Sequence, residues 1–170
     1  MSGHSKWSQI KHKKSLTDKK KGQIFSKLAR LITLAAKKGA DPKMNPGLAQ
    51  EIEKARAANM PGDNIERAIK KVSDKDQAQL EELSVEALGP GGVALRIRAI
   101  TDNRNRTMAE IKKILSDNNS KLVPPGSLAW MFNQKISVAG ADQEQIDKLF
   151  ESLDDQDEVE DVVSNLNEEQ

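Results

Sequence analysis

The sequence predicts an α+β protein in which a basic helical part precedes an acidic part built of strands and helices. Apolar residues recur at helical spacing up to about residue 72, and they alternate with polar residues from Leu83 onward. Residues 1–76 carry eighteen Lys and Arg against eight Asp and Glu, whereas residues 77–170 carry nine against eighteen. We therefore predict two domains, a basic helical domain over residues 1–76 and an acidic α/β domain over residues 77–170.

The first sixteen residues show no sustained apolar period and are interpreted as a basic arm. Residues 1–43 hold twelve Lys and Arg against two acids, although the whole chain sums to +1. Such asymmetry is typical of proteins that bind nucleic acid, but charge alone leaves a solvated lysine tail equally open. Trp7 favours binding, because a tryptophan in an exposed polar arm has little packing role and its ring could stack on a base. Docking of Trp7 on the helical bundle as an anchor is the alternative.

Three helices are predicted after the arm. The first begins at Thr17 and ends near Gly39, a glycine suited to a C-terminal stop. Asn45 and Pro46 form an N-cap and a first-turn proline, which start a second helix that ends near Ala58. Apolar residues from Ile65 to Val72 define the third helix. We expect the three to form a small bundle.

The segment Asn59, Met60 and Pro61 separates the last two helices of the bundle. Met60 either staples onto Ile65 across the helix start or projects from a tight loop as a contact residue. The sequence leaves both roles open.

The acidic domain predicts the order β-α-β-β-α-β with one additional strand in front, which is a ferredoxin-like arrangement. Alternating apolar residues, a capping box and proline- or glycine-rich turns delimit the elements. These are a leading strand over Leu83–Ala87, a strand over Val93–Ala99, a helix over Thr107–Leu115, a strand pair over Lys121–Val123 and Ser127–Val138, a helix over Gln143–Leu153 and a last strand over Val159–Val163.

Several functional classes find no support in the sequence. The chain has no cysteine, which excludes disulfides and thiol catalysis. Its histidines, His4 and His12, lie in the arm without a carboxylate at useful spacing. Asp154–Glu158 is interpreted as a solvated acidic loop, since it lacks the glycine and spacing of a calcium loop. No apolar run is long enough to span a membrane. We expect a cytoplasmic protein that is not an enzyme and uses no cofactor, metal or small-molecule substrate.

Arg104 and Arg106 lie where a predicted strand leads into a helix. Backbone N–H groups at a helix start together with two arginines suit an anion such as phosphate. The alternative is that both arginines pair with nearby acids.

Five ordered motifs resemble the YebC family, also called the YebC/PmpR or TACO family. They are Gly3–Trp7 with Ile10–His12, Lys21–Leu28, Asn59–Pro61 with Asn64–Lys71, Gly89–Ala94 and Thr101–Thr107. The resemblance implies a cytosolic, non-enzymatic protein, either a DNA-binding transcriptional regulator or a translation factor that acts on ribosomes, including at proline-rich stall sequences. Members of the family are usually longer, with a third domain inserted in the second. This chain passes from Phe132 to the last helix almost directly, so we expect it to lack that insertion.

From these patterns we expect a monomer that binds nucleic acid, with ribosomal RNA favoured over DNA because no helix carries base-reading residues at helix-turn-helix spacing. A protein-interaction module is a further alternative. Asn59, Met60 and Pro61 are assigned to a functional loop. The residues assigned to nucleic-acid binding are His4, Lys6, Trp7, Lys11, His12, Lys13, Lys14, Lys20, Lys21, Lys27, Arg104 and Arg106.

Overall fold

The computed structural model describes Trp7, residues 17–73 and residues 80–167. These residues divide into two compact units. The bundle unit comprises residues 17–73, 80–81 and 100–103, and the α/β unit comprises Trp7 with residues 82–99 and 104–167. Trp7 belongs to the α/β unit and not to the bundle, although the sequence places it in the basic domain.

The bundle unit contains the three predicted helices: α1 (Asp18–Ala36), α2 (Pro46–Ala57) and α3 (Gly62–Lys70), the last continued by a 3-10 turn over Lys71–Ser73. Thr17 caps α1 by accepting a hydrogen bond of 3.2 Å from the backbone N–H of Lys20. Asn45 caps α2 in the same way, at 3.1 Å from Leu48 N. The predicted Asn45–Pro46 start is therefore confirmed.

The core of the bundle is aliphatic, and hydrogen bonds from two polar side chains connect its helices. Its buried residues are Ile32, Ala36, Leu48, Ile52, Ala55, Met60, Ile65 and Ala68. The Thr33 hydroxyl donates to the Ala68 carbonyl at 2.8 Å, which joins α1 to α3. The Asn45 amide donates to the carbonyls of Ala35 and Gly39 at 2.9 and 2.8 Å. Ala35 lies in the last turn of α1, and Gly39 follows the helix. Asn45 therefore holds the C-terminus of α1 next to the start of α2.

The α/β unit has four strands in the described part of the chain: β1 (Glu81–Leu88), β2 (Ala94–Thr101), β3 (Lys121–Val123) and β4 (Val159–Ser164). They form one sheet in the spatial order β3-β1-β2-β4. Strand β1 pairs antiparallel with β3, with Glu86 opposite Val123, and β2 pairs antiparallel with β4, with Ile97 opposite Val162. A 3-10 turn over Pro90–Gly92 connects β1 to β2.

Helices α4 (Arg104–Asp117) and α5 (Ala141–Asp155) supply the apolar partners of the sheet. Alternate residues of β1 and β2, among them Leu83, Val85, Leu95 and Ile97, share one buried cluster with Ile111, Leu115, Ile146, Leu149 and Phe150 from the two helices. The sheet therefore buries one face, as the alternation of apolar and polar residues predicts. The α+β class is confirmed.

The predicted strand over Ser127–Val138 is wrong. Residues Ala129–Asn133 form a 3-10 turn, and β3 pairs with β1 and not with this segment. Further along, Ile136 forms a single parallel bridge with Leu166. The segment is held by side chains from elsewhere in the α/β unit, which satisfy the backbone groups that a strand would offer to a neighbour.

None of the helices in the part of the chain that the structure describes combines the length and the hydrophobicity that a membrane span requires.

Candidate nucleic-acid interface

Helix α1 carries lysines on its surface in addition to the residues that it buries. The helix buries Ile32, Thr33 and Ala36. Lys19 and Lys21 are exposed, whereas Lys20 and Lys27 are half-buried along the helix. The Lys20 ammonium donates to Gln23 Oε1 at 3.0 Å. By helical spacing, Lys20 and Lys27 lie opposite these buried residues, and Lys19 and Lys21 lie on the two flanks of the helix.

The two helices differ in the balance of charge in their sequences. In α2, Lys54 lies 3.0 Å from Glu51 and Arg56 lies 3.4 Å from Glu53. In α1 the sequence contains five Lys and Arg and a single acid, Asp18. A surface with one sign of charge attracts phosphates, whereas internally paired charges contribute little to the field. We call Lys19, Lys20, Lys21 and Lys27 the lysine face of α1, and together they carry four of the five positive charges of this helix.

Six of the predicted binding residues fall outside the described residues. They are His4, Lys6, Lys11, His12, Lys13 and Lys14.

Trp7 is buried in the core of the α/β unit. Its exposed fraction is 3%, and its ring centroid lies 6.3 Å from that of Phe150 with the planes tilted by 59°. This is the separation and tilt of an aromatic packing pair. Stacking on a base needs an accessible ring face, so the structure contradicts the predicted stacking role of Trp7. The alternative of a hydrophobic anchor describes its position, although the anchor lies in the α/β core and not on the bundle.

The Asn59–Met60–Pro61 segment ends α2 and begins α3. Asn59 is exposed with a left-handed φ of 63°, and Pro61 is exposed at the N-cap of α3. Met60 is only 6% exposed and belongs to the bundle core together with Ile65. A residue before the N-cap that shares a core with the fourth helical residue matches a hydrophobic staple. Of the two roles considered for Met60, packing is therefore supported, and an outward contact is not.

The two arginines at the start of α4 have different surroundings. The Arg106 guanidinium donates to the Glu158 carboxylate, to which the buried Thr107 hydroxyl also donates. Arg104, the first residue of α4, is exposed. Just upstream, Asn103 N donates to Thr101 Oγ1 at 2.8 Å. Arg106 is thus engaged in an ion pair within the protein, while Arg104 is the arginine placed to meet an external anion.

The acidic segment before β4 is not the solvated loop that the sequence suggested. Asp154 and Glu158 are buried, although Asp155 and Asp157 are exposed. Gln156 organises the segment, because its Oε1 accepts from Glu158 N at 2.7 Å and from Val159 N at 2.8 Å. Within residues 17–73 and 80–167, no group of three or more Asp, Glu, His or Cys is arranged to hold a metal ion.

A turn that was not predicted from the sequence presents an exposed aromatic side chain. Trp130 lies in the 3-10 turn over Ala129–Asn133 and is 62% exposed. The signal available was its position after Pro124, Pro125 and Gly126, a combination typical of turns. The interpretation of Ser127–Val138 as a strand hid it.

Two family models match the chain. The TACO1/YebC protein N-terminal domain matches residues 5–75, and the TACO1/YebC second and third domain matches residues 80–139.

Relatives cover nearly the whole of this chain. A protein of Halothermothrix orenii named probable transcriptional regulatory protein is 44% identical over 98% of this chain and 68% of its own length. A protein of the same name from Chlorobium chlorochromatii is 47% identical over 93% of this chain and 68% of its own length. Others, such as that of Geobacter sulfurreducens at 46% identity, are covered over 62% of their length.

The crystal structure of the conserved hypothetical protein Aq1575 from Aquifex aeolicus has a similar fold. It matches with a TM-score of 0.78 and 25% sequence identity, over 86% of this chain and 90% of that one.

Proposed function

The chain belongs to the TACO1/YebC family, and on that premise we propose that it is a non-enzymatic regulator of gene expression that binds nucleic acid through its bundle unit. The observation that carries the proposal is the segregation of charge. Residues 17–73 contain thirteen Lys and Arg against six Asp and Glu. The lysine face of α1 gathers part of this excess in one helix, where each lysine that meets a phosphate releases a counterion.

The favoured target is ribosomal RNA, and the protein acts as a ribosome-associated translation factor. Helix α3 follows α2 after a short turn, which is the order of a helix-turn-helix reader. However, the exposed residues of α3 mix Asp63 and Glu66 with Arg67 and Lys70. The N-terminal residues of a recognition helix must approach bases between two phosphate chains, and a carboxylate there is repelled. An irregular RNA surface is recognised through its shape and its phosphates instead. The protein then works as a monomer in the cytoplasm.

Co-sedimentation with ribosomes tests this function. The full chain should pellet with ribosomes at moderate salt and dissociate as salt rises. The matched variant replaces Lys19 and Lys21 of the lysine face by Gln and keeps the arm, because removing the arm would also remove Trp7, a core residue of the α/β unit. We expect this variant to pellet less while its melting temperature is unchanged. A protein that stays in the supernatant at every salt concentration contradicts the ribosomal role.

A DNA-binding transcriptional regulator is the second candidate, favoured by the name that the relatives carry. It predicts nanomolar protection of a defined promoter that survives competition by unrelated DNA. A footprint of this kind, together with absence from the ribosomal fraction, would replace the translational role with the transcriptional one.

The inserted third domain of longer members is inferred to be absent. The model for the second and third domain matches only residues 80–139. After residue 139 the chain forms α5 and β4, and β4 pairs with β2 to complete the sheet. Whatever the insertion does in longer relatives must be dispensable here or supplied by another molecule.

A further inference from the structure

The turn that carries Trp130 is held from both ends by buried polar side chains of the α/β unit. At its start, Glu86 Oε2 accepts hydrogen bonds from Gly126 N at 3.1 Å and Leu128 N at 3.3 Å. At its end, the Asn165 amide donates to the carbonyls of Met131 at 3.3 Å and Gln134 at 3.1 Å. Both anchoring residues are buried. Bonds from a buried carboxylate and a buried amide fix the backbone on either side of residue 130.

Neighbouring side chains distinguish Trp130 from the rest of the turn. Leu128 is buried, and the Phe132 ring is covered by the Arg96 guanidinium at 4.6 Å from its centroid. Arg96 is in turn tied to Glu86 Oε1 at 3.4 Å. Leu128 and Phe132 are therefore used in packing, whereas Trp130 is 62% exposed. The indole is a large apolar surface on a backbone that is already ordered. Binding of a ligand to it would therefore cost little conformational entropy of the protein.

The sequence that flanks this turn differs in charge from the sequence that follows it. The sequence from Asn118 to Ala141 contains Lys121 and Lys135 and no Asp or Glu. The C-terminal segment, from Asp142 to Gln170, holds twelve acids and one lysine. An aromatic ring in a locally basic segment suits a ligand that combines a flat ring with negative charge. Nucleic acids whose bases are unstacked have this chemistry.

We infer that Trp130 forms a base-stacking site for an unpaired nucleotide. The inference rests on the proposed nucleic-acid-binding function and deepens it, because it predicts single-stranded or splayed-out bases as the preferred target of the α/β unit. A duplex hides its base faces and offers Trp130 nothing to stack on. The site therefore distinguishes unpaired from paired nucleic acid, which the lysine face of α1 does not.

Fluorescence tests the stacking directly, because the chain has two tryptophans that differ in exposure. Trp7→Phe leaves Trp130 as the emitter, and Trp130→Phe leaves the buried Trp7. Single-stranded oligonucleotides should quench the Trp7→Phe protein and leave the Trp130→Phe protein unchanged. If Trp7→Phe lowers stability, the difference between wild type and Trp130→Phe gives the same information. Equal quenching of both variants, or of neither, overturns the inference.

Affinity measurements supply the second test. Trp130→Ala should weaken binding of a single strand about tenfold, and Trp130→Phe about two- to threefold, because stacking on one aromatic ring is of this order. Duplex affinity should stay within about twofold. Met44→Ala is the matched control, since Met44 is, among the described residues, the other large exposed apolar side chain, at 82% exposure, and lies in the bundle unit. Single-stranded RNA and DNA of one sequence are compared, and the tighter ligand identifies the natural source.

The outcomes separate this inference from the proposed function. Unchanged single-strand affinity in Trp130→Ala, or an equal loss for single strand and duplex, overturns base stacking at this turn. If replacement of Lys19 and Lys21 still weakens binding in that case, the proposed function stands without the inference. A turn that instead docks a protein would show the first of these results.

Discussion

The Glu158 carboxylate is the acceptor of the Arg106 guanidinium, and this pair joins the first turn of α4 to the segment that leads into β4. Glu158 is buried and accepts a second hydrogen bond from Thr107, while about half of the Arg106 side chain is exposed. A buried carboxylate depends on such donors, because losing one leaves part of its desolvation cost uncompensated. We therefore predict a stabilising role for Arg106 and a binding role for Arg104.

Single replacements should separate these roles. Arg106→Gln should lower the free energy of unfolding by about 1–2 kcal/mol, since it removes a charged donor from a buried acceptor that keeps Thr107. Arg104→Gln should leave stability within about 0.5 kcal/mol and weaken nucleic-acid binding. Urea denaturation and fluorescence anisotropy measure the two quantities. A double-mutant cycle of Arg106→Gln with Glu158→Gln should show coupling, whereas the combination of Arg104→Gln with Glu158→Gln should be additive.

The lysine face of α1 should set the salt dependence of binding. Lys19→Gln with Lys21→Gln should reduce the slope of log affinity against log salt by about 1.8 for duplex DNA, or about 1.4 for a single strand, if each lysine neutralises one phosphate. Titrations at several salt concentrations give the slope. Lys112→Gln with Lys148→Gln is the matched control, because it removes the same charge from exposed positions on α4 and α5. Equal slopes for the two variants would show that only net charge matters.

Local signals in the sequence account for the parts of the fold that were predicted. Asn45 and Pro46 mark the start of α2, and the helical spacing of its apolar residues predicts the remainder of the helix. The strands β1 and β2 follow from alternation, and the turn between them needs φ of 72° at Gly91 and 78° at Gly92, which glycine adopts without strain. At Gly91 a Cβ atom would also lie 2.7 Å from Val138 Cγ1.

The errors arise where distant side chains decide the structure. Glu86 binds the backbone of Gly126 from 40 residues away, and Asn165 binds that of Met131 from 34 residues away. Neither contact leaves a periodic signal in the segment that it organises, so alternation wrongly predicted a strand there. The pairing of Arg106 with Glu158 spans 52 residues and was visible only as one of two alternatives. Candidate binding residues are identified by charge, but their availability is decided by such long-range partners.

Met60 should behave as a core residue. Met60→Ala removes a side chain packed in the bundle cluster with Ile65 and should cost about 2–4 kcal/mol of unfolding free energy. Any loss of activity in translation should then follow the unfolded fraction, and a lower assay temperature should restore it. Met44→Ala, which truncates an exposed methionine of the same unit, should change stability by less than about 0.5 kcal/mol. A stable Met60→Ala protein that is inactive at every temperature would return Met60 to a contact role.

Trp7 should contribute to stability before it contributes to binding. The ring is buried beside Phe150 in the α/β core, so Trp7→Ala should lower the free energy of unfolding by about 3–5 kcal/mol. Trp7→Phe retains an aromatic ring for the pair and should cost less than half as much. Phe150→Leu tests the pair from the other side, and its effect should be smaller in the Trp7→Ala background than in wild type.

The same variants decide between anchoring and stacking. If Trp7 anchors the arm, Trp7→Phe should keep affinity near wild type despite its smaller loss of stability, because the ring faces Phe150 and not a ligand. If Trp7 stacked on a base, Trp7→Ala would weaken binding without changing the unfolding curve. An anchoring Trp7 affects binding only through the folding of the α/β unit. Affinity lost in Trp7→Ala should therefore be recovered when the variant is assayed under conditions that keep it folded.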